Sequence, residues 1–181
     1  MHFPLPFVPD ISYKGGNGFD ANRDKVRKGL KHAANDLAAE PGTPVLALDD
    51  GVVLQDPYPF FSGTWAIEVR HPQFIARYCE IDRKTEVKSG DKVSGGQVIA
   101  YVGDQPGDDM LHLEFFRGTK TGGLSFNPGT HPPYDRRDDV FNGASILDQA
   151  TRSGLTSKDD WIILTQPDGR KFLETMHLQR M

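Results

Sequence analysis

The sequence predicts an all-β domain. Two observations carry this. The 181 residues include 19 glycines and 13 prolines, and turn signals recur about every 8–12 residues, a spacing that suits short strands. Between those turns, several segments alternate apolar and polar residues with the period of a strand.

The elements follow in order. Pro44-Val45-Leu46-Ala47-Leu48 runs into Asp49-Asp50-Gly51, a turn signal, and then Val52-Val53-Leu54, so this stretch reads as a hairpin. Trp65 to Arg70 alternates, as does Phe74 to Ile81. Gly95 to Gly103 reads as a turn and a strand. Met110 to Phe116 is a strand that puts Leu111, Leu113 and Phe115 on one face and Met110, His112 and Glu114 on the other. After Gly118 the character changes. Lys120 to Asp139 is rich in Gly, Pro and charge and reads as a long loop. Ser145 to Thr151 fits a short helix, and Ser157-Lys158-Asp159-Asp160 fits a cap. Trp161 to Leu164 and Lys171 to Leu173 read as a strand pair around Pro167-Asp168-Gly169. The expected organisation is an N-terminal extension over residues 1–18, a domain over 19–148 and a C-terminal appendage over 149–181.

Bulk properties narrow the function classes. The length suffices to bury a core without disulfides, and the single Cys79 excludes an internal disulfide framework. Twenty-one basic against 25 acidic residues give a net charge of −4, which argues against non-specific nucleic-acid binding. No apolar run reaches the length of a membrane span. The N-terminus, Met1 to Asp10, lacks a basic start and is interrupted by prolines, so no Sec signal peptide is expected.

The residues with chemistry are His32 and Asp36, in Lys31-His32-Ala33-Ala34-Asn35-Asp36, and His112, in Met110-Leu111-His112-Leu113-Glu114. Two imidazoles and a carboxylate can hold Zn2+ and leave one coordination position open. The bland alternatives are a solvated His32/Asp36 loop pair and a hydrogen-bonded core histidine at 112. Glu114, on the strand face of His112, is expected to orient a ligand rather than to be one.

These blocks together resemble the lysostaphin-like (LytM-type) zinc endopeptidases that cut peptidoglycan cross-bridges. His32 to Asp36 followed by Leu37 to Val45 resembles the family's H-x-x-x-D block and the segment after it. Asp49 to Val53 is similar to its next turn, Val87 to Gly103 to its glycine-rich segment, and Leu111 to Glu114 to its last motif. The resemblance runs from about Phe19 to Asp148. It implies the LytM/lysostaphin-type fold, a mostly antiparallel sheet folded around a groove with a few short helices, and zinc on His32, Asp36 and His112. The family's two further histidines, general base and stabiliser of the tetrahedral oxyanion, fall at Glu80 and Met110.

Met110 cannot move a proton and can only line the cleft. Glu80 is different, because a carboxylate beside a zinc-activated water can act as general base. Its bland alternative is a structural carboxylate. Loss of one oxyanion donor costs about 3 kcal/mol of transition-state stabilisation. Arg77, Lys31 and Arg23 are candidates to replace it, although strand alternation puts Arg77 on the face opposite Glu80. The same alternation points Cys79 away from Glu80 as a buried thiol. The Tyr58 to Trp65 loop is expected to form a groove wall, its aromatics either stacking on substrate or packing. His2, His71, His131 and His177 receive no catalytic role.

The function implied is a zinc-dependent endopeptidase acting on peptidoglycan stem or cross-bridge peptides in the periplasm or cell wall. The expected absence of a Sec signal suggests an antibacterial effector delivered by an injection system, or release by lysis, with an immunity or secretion-system partner. Two alternatives stand beside it: a non-catalytic module binding peptidoglycan or a partner protein, and a zinc hydrolase acting on another amide.

Overall fold

The structure is a computed structural model that describes residues 1–9, 13–118, 136–150 and 161–175. Its strands are β1 Asn35–Ala38, β2 Pro44–Leu46, β3 Gly51–Val53, β4 Tyr58–Pro59, β5 Trp65–Arg70, β6 Ile75–Ile81, β7 Lys92–Val93, β8 Val98–Tyr101, β9 Met110–Phe116, β10 Val140–Phe141, β11 Trp161–Thr165 and β12 Lys171–Thr175. A short helix, α1, spans Ala144–Gln149. The chain is therefore all-β in its described body, as expected.

The main sheet has the order β1-β9-β6-β5-β3-β7, with β10 paired to β9 and β4 to β5. Every pairing in it is antiparallel. The expected 44–54 hairpin does not form. β2 pairs with β8 in a separate two-stranded sheet, while β3 pairs with β5 and β7. The Asp49–Gly51 turn instead carries the chain from one sheet to the other. A Cβ on Gly51 would meet Arg70 O at 2.7 Å, so only glycine allows β3 to approach the end of β5 this closely.

Side-chain alternation sorts the main sheet into two faces. Leu37, Ile67, Tyr78, Leu111, Leu113 and Phe115 are fully buried in one core cluster with Val45, Ile99 and Ala100 of the small sheet. Phe3 and Leu5 are buried in the same cluster, so the first residues of the chain are built into the core. Fully burying each such side chain contributes about 1.5–3 kcal/mol. The β11–β12 pair forms as expected, turning at Gly169 (φ 85°) and meeting the small sheet through a bridge between Gln97 and Phe172. Residues 120–135 of the expected loop over Lys120 to Asp139, the cap at Ser157–Asp160, and His131 and His177 lie outside the described residues.

Candidate metal centre and its surroundings

The polar face of the main sheet is organised in rows of register partners, which share a face. Asp36 on β1 stands opposite His112 on β9, and His112 stands opposite Cys79 on β6. One row along, Glu114 stands opposite Arg77, and Arg77 opposite Glu68. Strand pairing thus brings a residue of the H-x-x-x-D block next to a histidine 76 positions later in the chain.

His32 joins them from the bridge segment just before β1, where Asn22 pairs with Lys31. Its ring is buried, and its Nδ1 lies 2.9 Å from Gly18 O. That contact requires a proton on Nδ1, because a carbonyl only accepts. The Nε2 lone pair is then left facing Asp36 Oδ1 at 3.2 Å. His112 is arranged alike: its Nε2 lies 3.1 Å from Glu114 Oε1, and its Nδ1 lies 3.0 Å from Asp36 Oδ1. Asp36 Oδ1 is buried yet makes no hydrogen bond of acceptable geometry. The His32, Asp36 and His112 ligand atoms all lie within 4.8 Å of one another. An orphaned carboxylate oxygen beside two nitrogen donors fits a cation, and two imidazoles with one carboxylate suit zinc.

Electrostatics agree with that fit. Burial would raise the pKa of Asp36, but the two imidazoles outweigh it and hold the carboxyl well below the usual carboxylate range. Burial likewise opposes charge on His112, but Asp36 and Glu114 push its pKa up to about 10. The carboxylates of Asp36 and Glu114 thus favour positive charge between them.

Behind the ligands runs a buried polar network. Arg77 Nη1 lies 3.3 Å from Glu114 Oε2, and Arg77 Nε donates to Tyr58 Oη at 2.7 Å. Tyr58 in turn donates to Glu68 Oε1 at 2.5 Å. The Arg77 guanidinium also stacks on Phe60, 4.9 Å from the ring centroid, and Phe60 packs on His112 at 5.6 Å. The loop aromatics therefore divide. Tyr58 and Phe60 pack against the site, while Phe61 is 66% exposed.

Two expectations are corrected here, for one reason. Arg77 and Cys79 lie on the same sheet face as His112, not opposite the site. Glu80 reaches that site by another route. Ala66 pairs with Cys79 but Trp65 pairs with Ile81, so Glu80 is the extra residue of a β-bulge. Its φ is 61°, in the left-handed region that few non-glycine residues adopt. In a regular strand position 80 would face the core. The bulge ejects it and returns Ile81 to the core cluster. Glu80 is buried, within electrostatic reach of His112, Asp36 and His32. Burial pushes its pKa up, against the opposing pull of His112 and a hydrogen bond from Gln105. Cys79 is fully buried, which pushes its thiol pKa well up, so it is no nucleophile.

Of the other cations, Arg23 sits at the site, its Nη2 3.5 Å from Asp36 Oδ2. Lys31 is half-buried on the bridge to Asn22. Met110 is half-buried at the start of β9, paired with Ala38. Sequence reasoning missed Gln105 and Arg136. Arg136 is buried, donates to His32 O and stacks on Phe19.

The model of peptidase family M23 matches residues 30–128. Among curated proteins, the chain is 29% identical over 108 residues to "Peptidoglycan DD-endopeptidase ShyA" of Vibrio cholerae, covering 59% of this chain and 25% of that protein. It is 30% identical over 112 residues to "Glycyl-glycine endopeptidase ALE-1" of Staphylococcus capitis, covering 61% and 30%. The chain thus spans less than a third of the curated relatives it matches. Among solved structures, it resembles the catalytic domain of lysostaphin from Staphylococcus simulans with a TM-score of 0.57 and 21% identity, covering 75% of this chain and 92% of that one. That likeness establishes a common fold.

Proposed function

The chain belongs to peptidase family M23, and from that premise and the geometry of its polar face we propose that it is a zinc-dependent peptidoglycan endopeptidase using Glu80 as general base. The observation that carries this reading is Asp36 Oδ1, a buried carboxylate oxygen without a hydrogen bond, flanked by the nitrogens of His32 and His112. In this reading His32, Asp36 and His112 hold the metal. Zinc supplies Lewis acidity when bound, lowering the pKa of a coordinated water to about 7 and polarising a carbonyl.

The chain's own groups do the rest. Gly18 O and Glu114 fix the tautomers of His32 and His112, so that one nitrogen of each ring is free to ligate. Glu80 takes the proton of the attacking water and returns it to the leaving amine, the general acid–base role. Burial supports this by raising its proton affinity above that of an exposed carboxylate. Arg23, 3.5 Å from Asp36 Oδ2, is the cation we assign to charge developing on the scissile carbonyl oxygen. The substrate follows from what the named relatives act on: peptide bonds of the cell wall, where this chain would work.

Purified sacculi test the proposal. The zinc-loaded protein should release soluble muropeptides, and both a chelator and His112→Ala should abolish release. Sacculus binding at full zinc occupancy with no released peptide would replace the enzyme by a binding module.

A further inference from the structure

The loop between β8 and β9 is attached to the bulge by both main chain and side chain. Gly103 N–H donates to Glu80 O at 2.8 Å. A Cβ on Gly103 would meet Ile81 O at 2.8 Å and Glu80 O at 3.1 Å, so the contact requires glycine. Two residues on, the buried side chain of Gln105 donates from Nε2 to Glu80 Oε2 at 2.8 Å and to Asp108 O at 3.0 Å. Gln105 is itself anchored, its N–H donating to Asp109 Oδ1 at 3.3 Å. Asp109 O in turn accepts from Ala39 N–H at 3.2 Å, at the end of the strand that carries Asp36.

We infer that Gln105 is a positioning residue for the reaction: it engages Oε2 of Glu80, fixes the plane of the carboxylate, and leaves Oε1 to take the proton of the attacking water. This rests on the general-base reading of Glu80. The bulge fixes the backbone of Glu80, but a carboxylate can still rotate about its last torsion. A neutral amide donor suits the task. It bonds the carboxylate without neutralising it, and so lowers its basicity less than a guanidinium or ammonium would. The O–H bond of water breaks as its oxygen bonds the carbonyl carbon, the O–H of Glu80 forms, and that proton passes to the amine nitrogen as the C–N bond breaks.

The test compares Gln105→Met, Glu80→Gln and the double variant in the zinc-loaded full chain, alongside NMR of the metal-free protein. Misplacing a reacting group by about 1 Å costs on the order of 100-fold. Gln105→Met should therefore lower kcat by roughly that factor, with little change in KM or zinc content. The double variant should be no slower than Glu80→Gln alone, because the amide acts only through Glu80. In the metal-free wild type, the Gln105 side-chain amide protons should exchange slowly with solvent, and Glu80→Ala should release that protection. If Gln105→Met does not fold, Gln105→Asn withdraws the amide by one methylene and should give the same pattern. Wild-type kcat in the folded Gln105 variant, a further loss in the double variant, or fast amide exchange in the wild type would overturn the inference. If Glu80→Gln itself turns over normally, the base reading fails instead.

Discussion

His112 Nδ1 and Asp36 Oδ1 stand 3.0 Å apart across the β1–β9 ladder, and each residue is the other's register partner. The proximity of these two proposed ligands is thus a property of strand pairing. A slip of one residue would send one of the two side chains into the core. His112→Ala and Asp36→Ala remove a ligand without disturbing Leu37, Leu111 or Leu113, which hold the register from the other face. Both variants should fold with a wild-type circular dichroism spectrum and lose zinc on dialysis that leaves the wild type equimolar with metal.

Glu114 Oε1 lies 3.1 Å from His112 Nε2, so its loss should weaken the metal rather than abolish it. Glu114→Gln should reduce zinc affinity by about 10–100-fold, read by competition with a chromophoric chelator. Arg77 lies between two buried carboxylates, Glu68 and Glu114, in register across three strands. Removing the cation from such a group costs about 3–5 kcal/mol. Arg77→Met should lower the urea midpoint accordingly, and adding Glu114→Gln should recover part of the loss.

Gly103 separates folding from catalysis. Gly103→Ala places a methyl 2.8 Å from Ile81 O, and overpacking of this kind costs about 1–3 kcal/mol. The strain is absorbed where the bulge presents Glu80. The variant should stay folded at 25 °C and lose kcat much more than KM, measured on a soluble cross-bridge peptide.

His71 gives the fold a pH dependence of its own. It is buried, with Nδ1 3.1 Å from Asp50 O and Nε2 3.0 Å from Tyr78 Oη, which also accepts from Leu48 N–H. Burial lowers its pKa, against the pull of Asp49 and Asp50. The folded chain keeps His71 neutral where the unfolded chain takes up a proton. This stability is therefore present above about pH 6.5, the ordinary histidine value, and is lost as pH falls below it. Urea titrations should show His71→Gln less stable than wild type at pH 7.5, with the difference narrowing toward pH 5.

Much of the site is legible in the sequence because it obeys a period. His112 and Glu114 share a face by simple alternation, and His32 and Asp36 are close in the chain. Glu80 is legible as a residue type but not in its placement, because the bulge breaks the period on which face assignments rest. The one signal is that Tyr78 and Ile81, both core residues, are three positions apart, an odd spacing that a regular strand cannot bury on one face. Gln105 had no such signal. It sits in Gly103-Asp104-Gln105-Pro106-Gly107, where neither period nor motif distinguishes one polar side chain from another. The 44–54 hairpin failed as an expectation because β2 finds a partner in β8, more than 50 residues away, which local turn chemistry cannot report.

In the proposed mechanism Glu80, presented by the bulge, moves the proton beside the His32, Asp36, His112 cluster. The most direct measurement is muropeptide release from purified sacculi by Glu80→Gln, with zinc content determined on the same sample. Metal content should equal that of the wild type, with turnover reduced by about 10²–10⁴-fold, the range for removal of a general base. Wild-type turnover at full zinc occupancy would contradict it.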